Sequence, residues 1–242
     1  MTLPKLILGG GYNLILCVGE KRLGMNEILK KVADLNLPEE KLLSARIACV
    51  PGFTLEKYRR LQRSHLSILS PECSGGIFSN GLGLKFNSPI VNLKFSERDY
   101  MAFLKAPIDY MKKELIEQSS HGCPVATLGD LRINMVHYKT FEEAATAWQR
   151  RKSRINWFNL FIMMFTESEE ILREFDALPY GKKVCFVPFK SELDSAWYIS
   201  PKTYKEGLTL GHMVRRFGWG EIFYYDPFDM LLYGKKTPLI EM

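Results

Sequence analysis

The chain has 242 residues, 46% hydrophobic and 25% charged, with a net charge of +6 and a pI near 9.0. That composition excludes fibrous and low-complexity chains and fits one large globular domain or one domain with a partial second. No apolar run reaches the ~20 residues of a spanning helix, and the N-terminus lacks the charged and apolar regions of a secretory signal. Cys17, Cys49, Cys73, Cys123 and Cys185 are odd in number and form no CxxC pair. This argues against a disulfide framework and a structural zinc site. There is no Asp-x-Asp signature, so no metal site is expected, and the sequence names no cofactor. Basic residues concentrate only at 57–63 and 150–154. A nucleic-acid binder carries a longer basic stripe, so nucleic acid is not an expected partner, whereas anionic small molecules suit the charge.

In chain order, residues 13–19 read as a buried strand ending in glycine. Residues 24–36 place Met25, Ile28, Leu29, Val32 and Leu35 on one helix face. Residues 46–50 read as a strand stopped by Pro51-Gly52. Together these suggest a partial Rossmann-like βαβ unit that begins partway through such a fold. A helix over 53–63 follows, capped by Thr54, then a strand over 66–70. That strand runs into PECSGG and a helix-like stretch. A strand, a Cys/Ser/Gly turn and a helix form the kind of corner where open α/β sheets bind ligands. Cys73 stands where a nucleophile would stand, although a buried cysteine is often inert filling. Gly75 and Gly76 allow close backbone approach.

A strand is expected over 89–95. Ser96 and Asp99 form a capping box at the head of an amphipathic stretch to Gln118, interrupted at Pro107. A short strand over 125–128 precedes the densest polar constellation, residues 129–165. In strand register, Leu131, Ile133, Met135 and His137 share one face. His137 is then either a core-edge histidine or a base at a strand's carboxyl end, with Asp130 as the alternative base. Thr140 caps a helix whose end carries Arg150, Arg151, Lys152 and Arg154. The cations either complement the helix dipole or clamp a phosphate or carboxylate. Residues 159–165 read as a strand buried on both faces, 167–178 as a helix and 184–187 as a strand. Residues 191–205 look irregular, 208–217 helical, and the aromatic tail from Gly218 reads as a docked strand and helix or a partner surface.

The segments SILSPECSGG, LGLKFNSPIVNL, GDLRINMVHYKTFEEAATAWQRRKSRINWFNLF and FDALPYGKKVCF resemble, over about residues 46–190, a bacterial family of unknown-function domains associated with exopolysaccharide or capsule biosynthesis. The family's turn usually reads Ser-Asn-Asn-Cys-Trp-Gly-Gly. Ser70, Cys73, Gly75 and Gly76 match it, and Pro71, Glu72 and Ser74 depart. Asn92, Asp130, His137, Tyr138, Trp148, Arg151, Arg154, Asn156 and Asp176 also stand at matching positions. The resemblance implies a pathway setting and carries over no catalytic residue.

The fold expected is α/β, a mostly parallel or mixed sheet with helices on both faces in three layers. A βαβ segment of residues 1–62 would precede a main domain of 63–242. The function expected is a transferase of surface polysaccharide, acting on an activated sugar or its acceptor. The alternatives are a non-catalytic binding or assembly protein of that pathway and an acyltransferase using Cys73. His137, Asp130 and Cys73 are the catalytic candidates. Ser70, Gly75, Gly76, Asn92, Tyr138, Arg151, Arg154 and Asn156 are the substrate-binding ones. The expected partners are an anionic small-molecule donor such as a nucleotide sugar, or a glycan acceptor. The expected location is the cytoplasm, with peripheral contact to the inner membrane or to a pathway protein.

Overall fold

A computed structural model describes residues 5–8, 14–18 and 21–22 by their backbone, together with residues 47, 50, 52–199 and 225–239. The chain divides into two compact units. One comprises residues 1–64, 81–84 and 215–242, and the other residues 65–80 and 85–214. The first therefore gathers both chain ends.

In the first unit, β1 (Lys5–Leu8), β2 (Leu14–Val18) and β3 (Lys21–Arg22) form an antiparallel sheet in that order. The strand expected over 13–19 is present. Its neighbours are antiparallel hairpin partners, so it does not begin a βαβ crossover, which needs a parallel neighbour. The helix expected over 24–36 lies outside the described residues, and Ile47, expected in a strand, is helical. Helix α1 (Leu55–Arg63) starts at Thr54, whose hydroxyl accepts the Lys57 amide. Its companion α7 (Pro227–Tyr233) is capped by Asp226, which accepts from the amides of Phe228 and Asp229. Phe53 meets Phe228 edge-on at 5.8 Å between centroids. Lys57 bridges Asp226 at 2.8 Å and Asp229 at 2.6 Å. The described part of the aromatic tail is thus docked core, with Tyr225 and Phe228 buried. Residues 208–217 and 218–224 lie outside the described residues.

The second unit is built on a parallel sheet of β4 (Ser67–Leu69), β9 (Leu160–Phe165), β10 (Lys183–Val187) and β11 (Ala196–Tyr198), in spatial order β11-β10-β9-β4. Each strand is added beside the one before. The crossover from β4 to β9 carries the rest of the unit. It holds α2 (Ser74–Gly81) and a second, antiparallel sheet, β5 (Lys94–Phe95), β8 (Leu131–Asn134), β7 (Val125–Leu128) and β6 (Leu115–Gln118), in that spatial order. It also holds α3 (Glu97–Lys105), α4 (Pro107–Lys112) and α5 (Phe141–Lys152). Helix α6 (Glu169–Asp176) connects β9 to β10. The class is α/β with a mixed set of sheets.

Strand β9 is buried on both faces. Ile162 and Met164 join Leu69, Phe103, Ile133, Trp148 and Phe175 in one apolar cluster. Phe161 and Met163 point the other way and are equally buried, as two-sided cover of a parallel strand requires. Ile68 is the register partner of Phe161, and its side chain faces Gly75 of α2. Capping behaves as the sequence predicts. The hydroxyls of Ser96 and Thr140 accept from the amides of Asp99 and Glu143, while Ser168, expected inside the helix over 167–178, is instead its cap and accepts from the Ile171 amide. Of the kink or second helix that Pro107 implies, the second helix forms: Pro107 opens α4, because its missing N–H is unneeded in a first turn.

Three expectations differ. Leu115–Gln118 is a strand, not the end of a helix, because Lys113 turns extended and β7 supplies the hydrogen-bond partner. Only Lys94–Phe95 of the expected 89–95 strand forms. Asn92 there has φ of +68°, a left-handed backbone that breaks a strand. Ala196–Tyr198, expected to be irregular, is the fourth parallel strand.

Candidate active site

The carboxyl end of β4 leads into the turn at Ser70–Cys73 and then into α2. The turn is held from within. Ser70, 2% exposed, donates its hydroxyl to the Glu72 carbonyl at 2.6 Å and accepts the Gly75 amide at 2.8 Å. Cys73 stands at the cap of α2, its carbonyl accepting the Ile77 amide at 2.9 Å. Ser74 and Glu72 add a hydroxyl to carboxylate bond at 3.2 Å. The glycines serve packing. A Cβ on Gly75 would lie 3.0 Å from Ser70 Oγ and 3.1 Å from Ile68 Cγ2, and one on Gly76 would lie 3.1 Å from Val91 Cγ1. They bring the start of α2 onto β4 and onto the loop at Val91, so they shape the site without lining it.

Across from this turn, His137 does not lie in β8. The strand ends at Asn134, and the chain turns so that the Tyr138 amide bonds the Met135 carbonyl at 3.0 Å. The turn frees the imidazole from the sheet's inner face and exposes it. Its Nε2 lies 2.7 Å from Cys73 Sγ. A thiol and an imidazole 64 positions apart in sequence are thereby in direct contact at the carboxyl end of a parallel strand, where open α/β sheets bind ligands. Cys73 is half-buried, so a reagent can reach its sulfur.

Behind the histidine, the half-buried Tyr138 and the buried Arg151 form a support. Arg151 is 7% exposed and donates Nη1 to the Tyr138 hydroxyl at 2.6 Å and to the Val91 carbonyl at 3.0 Å. Its guanidinium lies 5.5 Å over the Phe86 ring. Tyr138 also reaches Val91 O at 3.5 Å. Asn92 follows Val91 in its left-handed conformation, with Oδ1 3.7 Å from the Gly76 Cβ position. Phe86, Val91 O and Glu72 carry no signal in the sequence. A lone aromatic, a backbone carbonyl and a turn acid are each commonplace there.

The other candidates lie elsewhere. Asp130 sits in the β7–β8 hairpin turn, at the opposite end of β8 from His137, with its carboxylate on the Tyr110 hydroxyl at 3.0 Å and Lys113 at 3.6 Å. Its own backbone bond, the Tyr110 hydroxyl and the Lys113 charge hold that carboxyl below its ordinary value. The expectation that Asp130 shares the site is corrected by this placement. The Arg154 amide bonds the Arg151 carbonyl, and its side chain makes no bond to the Cys73–His137 pair. Asn156 spans the entry to β9, its amide on Ser67 Oγ and its side chain on the His65 carbonyl. Trp148 is core, and Asp176 pins Ser195 at the start of β11 through Oδ1. Among the described residues there is no cluster of three or more potential metal ligands, and no helix is long and apolar enough to cross a membrane.

Comparison with known proteins adds two findings. The profile of a family described as "Domain of unknown function (DUF1919)" matches residues 46–234. A protein of Haemophilus influenzae described as "Uncharacterized protein" is 35% identical over 177 residues, which is 71% of this chain and 84% of that one. The family match over residues 46–234 contains the whole cluster just described.

Proposed function

The chain belongs to the DUF1919 family, and we propose that it is a transferase of surface-polysaccharide biosynthesis that passes an acyl group through Cys73. The observation that carries this reading is the 2.7 Å contact between Cys73 Sγ and His137 Nε2. A thiol is a competent nucleophile once a base takes its proton, and a nucleophile within hydrogen-bond reach of a base is the pattern of covalent catalysis. The polysaccharide setting and a glycan acceptor are carried by the sequence resemblance alone, and a cytoplasmic location by the scattered cysteines of the sequence.

The chemistry balances with these two side chains. His137 Nε2 takes the thiol proton as Sγ attacks the carbonyl carbon of an activated acyl donor. The S–C bond forms, the bond to the donor's leaving group breaks, and the leaving group departs with the proton from His137. An acceptor hydroxyl then gives its proton to His137 and attacks the thioester, and Cys73 returns to the thiol. Of the first-turn amides of α2, Gly75 donates to Ser70 and Ile77 to Cys73.

The test is intact-mass analysis after exposure to acetyl-CoA and to p-nitrophenyl acetate. The expected product is an acyl adduct on Cys73, absent in Cys73→Ala and formed about a hundredfold more slowly in His137→Ala, the scale of general-base catalysis. If Cys73 forms no adduct and reacts with iodoacetamide no faster than the half-buried Cys123, the reading fails.

A further inference from the structure

Arg151 carries its charge into the protein interior with no counter-charge beside it among the described residues. At 7% exposure it is more than nine-tenths buried, and its partners are a carbonyl, a phenol and an aromatic ring. All three are neutral. Among the described residues, no carboxylate stands within ion-pair distance of it. Only Nη1 is engaged, and the Nη2 and Nε donors make no bond among the described residues. A guanidinium keeps its charge in proteins, and burying a charge without a counter-charge is costly. Holding a carbonyl and a phenol needs donors, which a neutral amide would supply without that cost. The surplus is a fixed positive charge with unused planar donors, which is what a bidentate oxyanion site requires.

The position of Arg151 gives the surplus a use. Tyr138 is the neighbour of His137 in the chain, and Val91 is the residue on which Gly76 packs, three residues after Cys73. The guanidinium therefore braces the segments that carry both members of the thiol–imidazole pair.

We propose that Arg151 is the counter-charge for an oxyanion of the substrate, a carboxylate or a phosphate group, held beside Cys73 and His137. The placement of that anion next to reacting atoms rests on the acyl-transfer reading; the anion site itself does not.

Two measurements on the full chain separate these. The first is thermal melting in inorganic phosphate, D-glucuronate and neutral D-glucose, at ionic strength fixed with sodium chloride to remove screening effects. Wild-type protein is expected to be stabilised by phosphate, by glucuronate or by both, which distinguishes the two anion classes, and not by glucose. Arg151→Gln loses the shift and Arg151→Lys keeps part of it. The second is the ratio of iodoacetate to iodoacetamide rates at Cys73, with Cys123 as the internal reference. One nearby fixed cation is expected to favour the anionic reagent about tenfold. The stabilising anion should slow iodoacetate in wild type, and the preference should vanish in Arg151→Gln. An equal rate ratio in wild type and Arg151→Gln, with no melting shift from either anion, overturns the proposal. If Arg151→Gln does not fold, the wild-type arms decide, and absence of both anion stabilisation and anion protection overturns it. If Cys73 is inert to both reagents, the acyl-transfer reading alone fails. The melting shift then decides the anion site, a shift supporting it and its absence overturning it.

Discussion

Gly75→Ala tests how the site is assembled. A methyl at this position would meet Ser70 Oγ at 3.0 Å, Ile68 Cγ2 at 3.1 Å and the Ile68 carbonyl at 3.3 Å. Neither neighbour can give way. Ser70 is fixed by its bonds to the Glu72 carbonyl and the Gly75 amide, and Ile68 is hydrogen-bonded into the parallel sheet opposite Phe161. Helix α2 must move instead. Overpacking of this kind costs about 1–3 kcal/mol, against about 0.5 kcal/mol gained from alanine's better helix propensity near the helix start. The net loss is about 1–2 kcal/mol, a fall in melting temperature of about 4 °C for a chain of this size. Because Cys73 sits at the cap of the same helix, its iodoacetamide rate should fall as well. Urea titration and timed alkylation measure the two effects. Ser70→Ala in the same chain removes the closest obstruction, so the double variant should lose less stability than the sum of the singles. A Gly75→Ala protein as stable as wild type, with Cys73 alkylated at the wild-type rate, would refute the close-packing account of this glycine.

Lys57→Met should destabilise the first unit by about 2–3 kcal/mol at neutral pH. The cost of breaking a buried ion pair is reduced because Lys57 is partly exposed. Burial by itself would raise the Asp229 carboxyl, but hydrogen bonds from Lys57 and Thr237 and the lysine charge overrule it and hold the carboxyl below its usual value. A depressed folded value stabilises above the ordinary carboxylate range and is lost as pH falls through the folded value. The difference between Lys57→Met and wild type should therefore shrink in acid, which urea titrations across pH will show. Cys185 is fully buried, and burial pushes its thiol far up. Mass mapping should find iodoacetamide on Cys73 in native protein and on Cys185 only after denaturation. Asp130→Asn should leave the Cys73 alkylation rate unchanged, since its partners are Tyr110 and Lys113 at the far end of β8; a tenfold fall would contradict that placement.

Local chemistry made much of this chain legible in its sequence. Thr54, Ser96 and Thr140 announce helix starts because a cap is a bond between residues three apart. The unbroken apolar run of β9 announces two-sided burial because each face of a strand is written in alternate residues. Cys73 and His137 were each visible as reactive residue types at the end of a predicted strand. What the sequence could not determine is set by partners remote along the chain. Leu115–Gln118 becomes a strand because β7 lies beside it, and Leu14–Val18 joins a hairpin instead of a crossover. Asp130 and His137 look like neighbours in sequence, yet β8 holds them at opposite ends. The contact of Cys73 with His137 and the unbalanced charge of Arg151 exist only because the β4–β9 crossover folds α2, the Val91 loop and α5 onto one another. A residue's type is encoded where it stands, but what it touches is decided by packing between segments that no local rule relates.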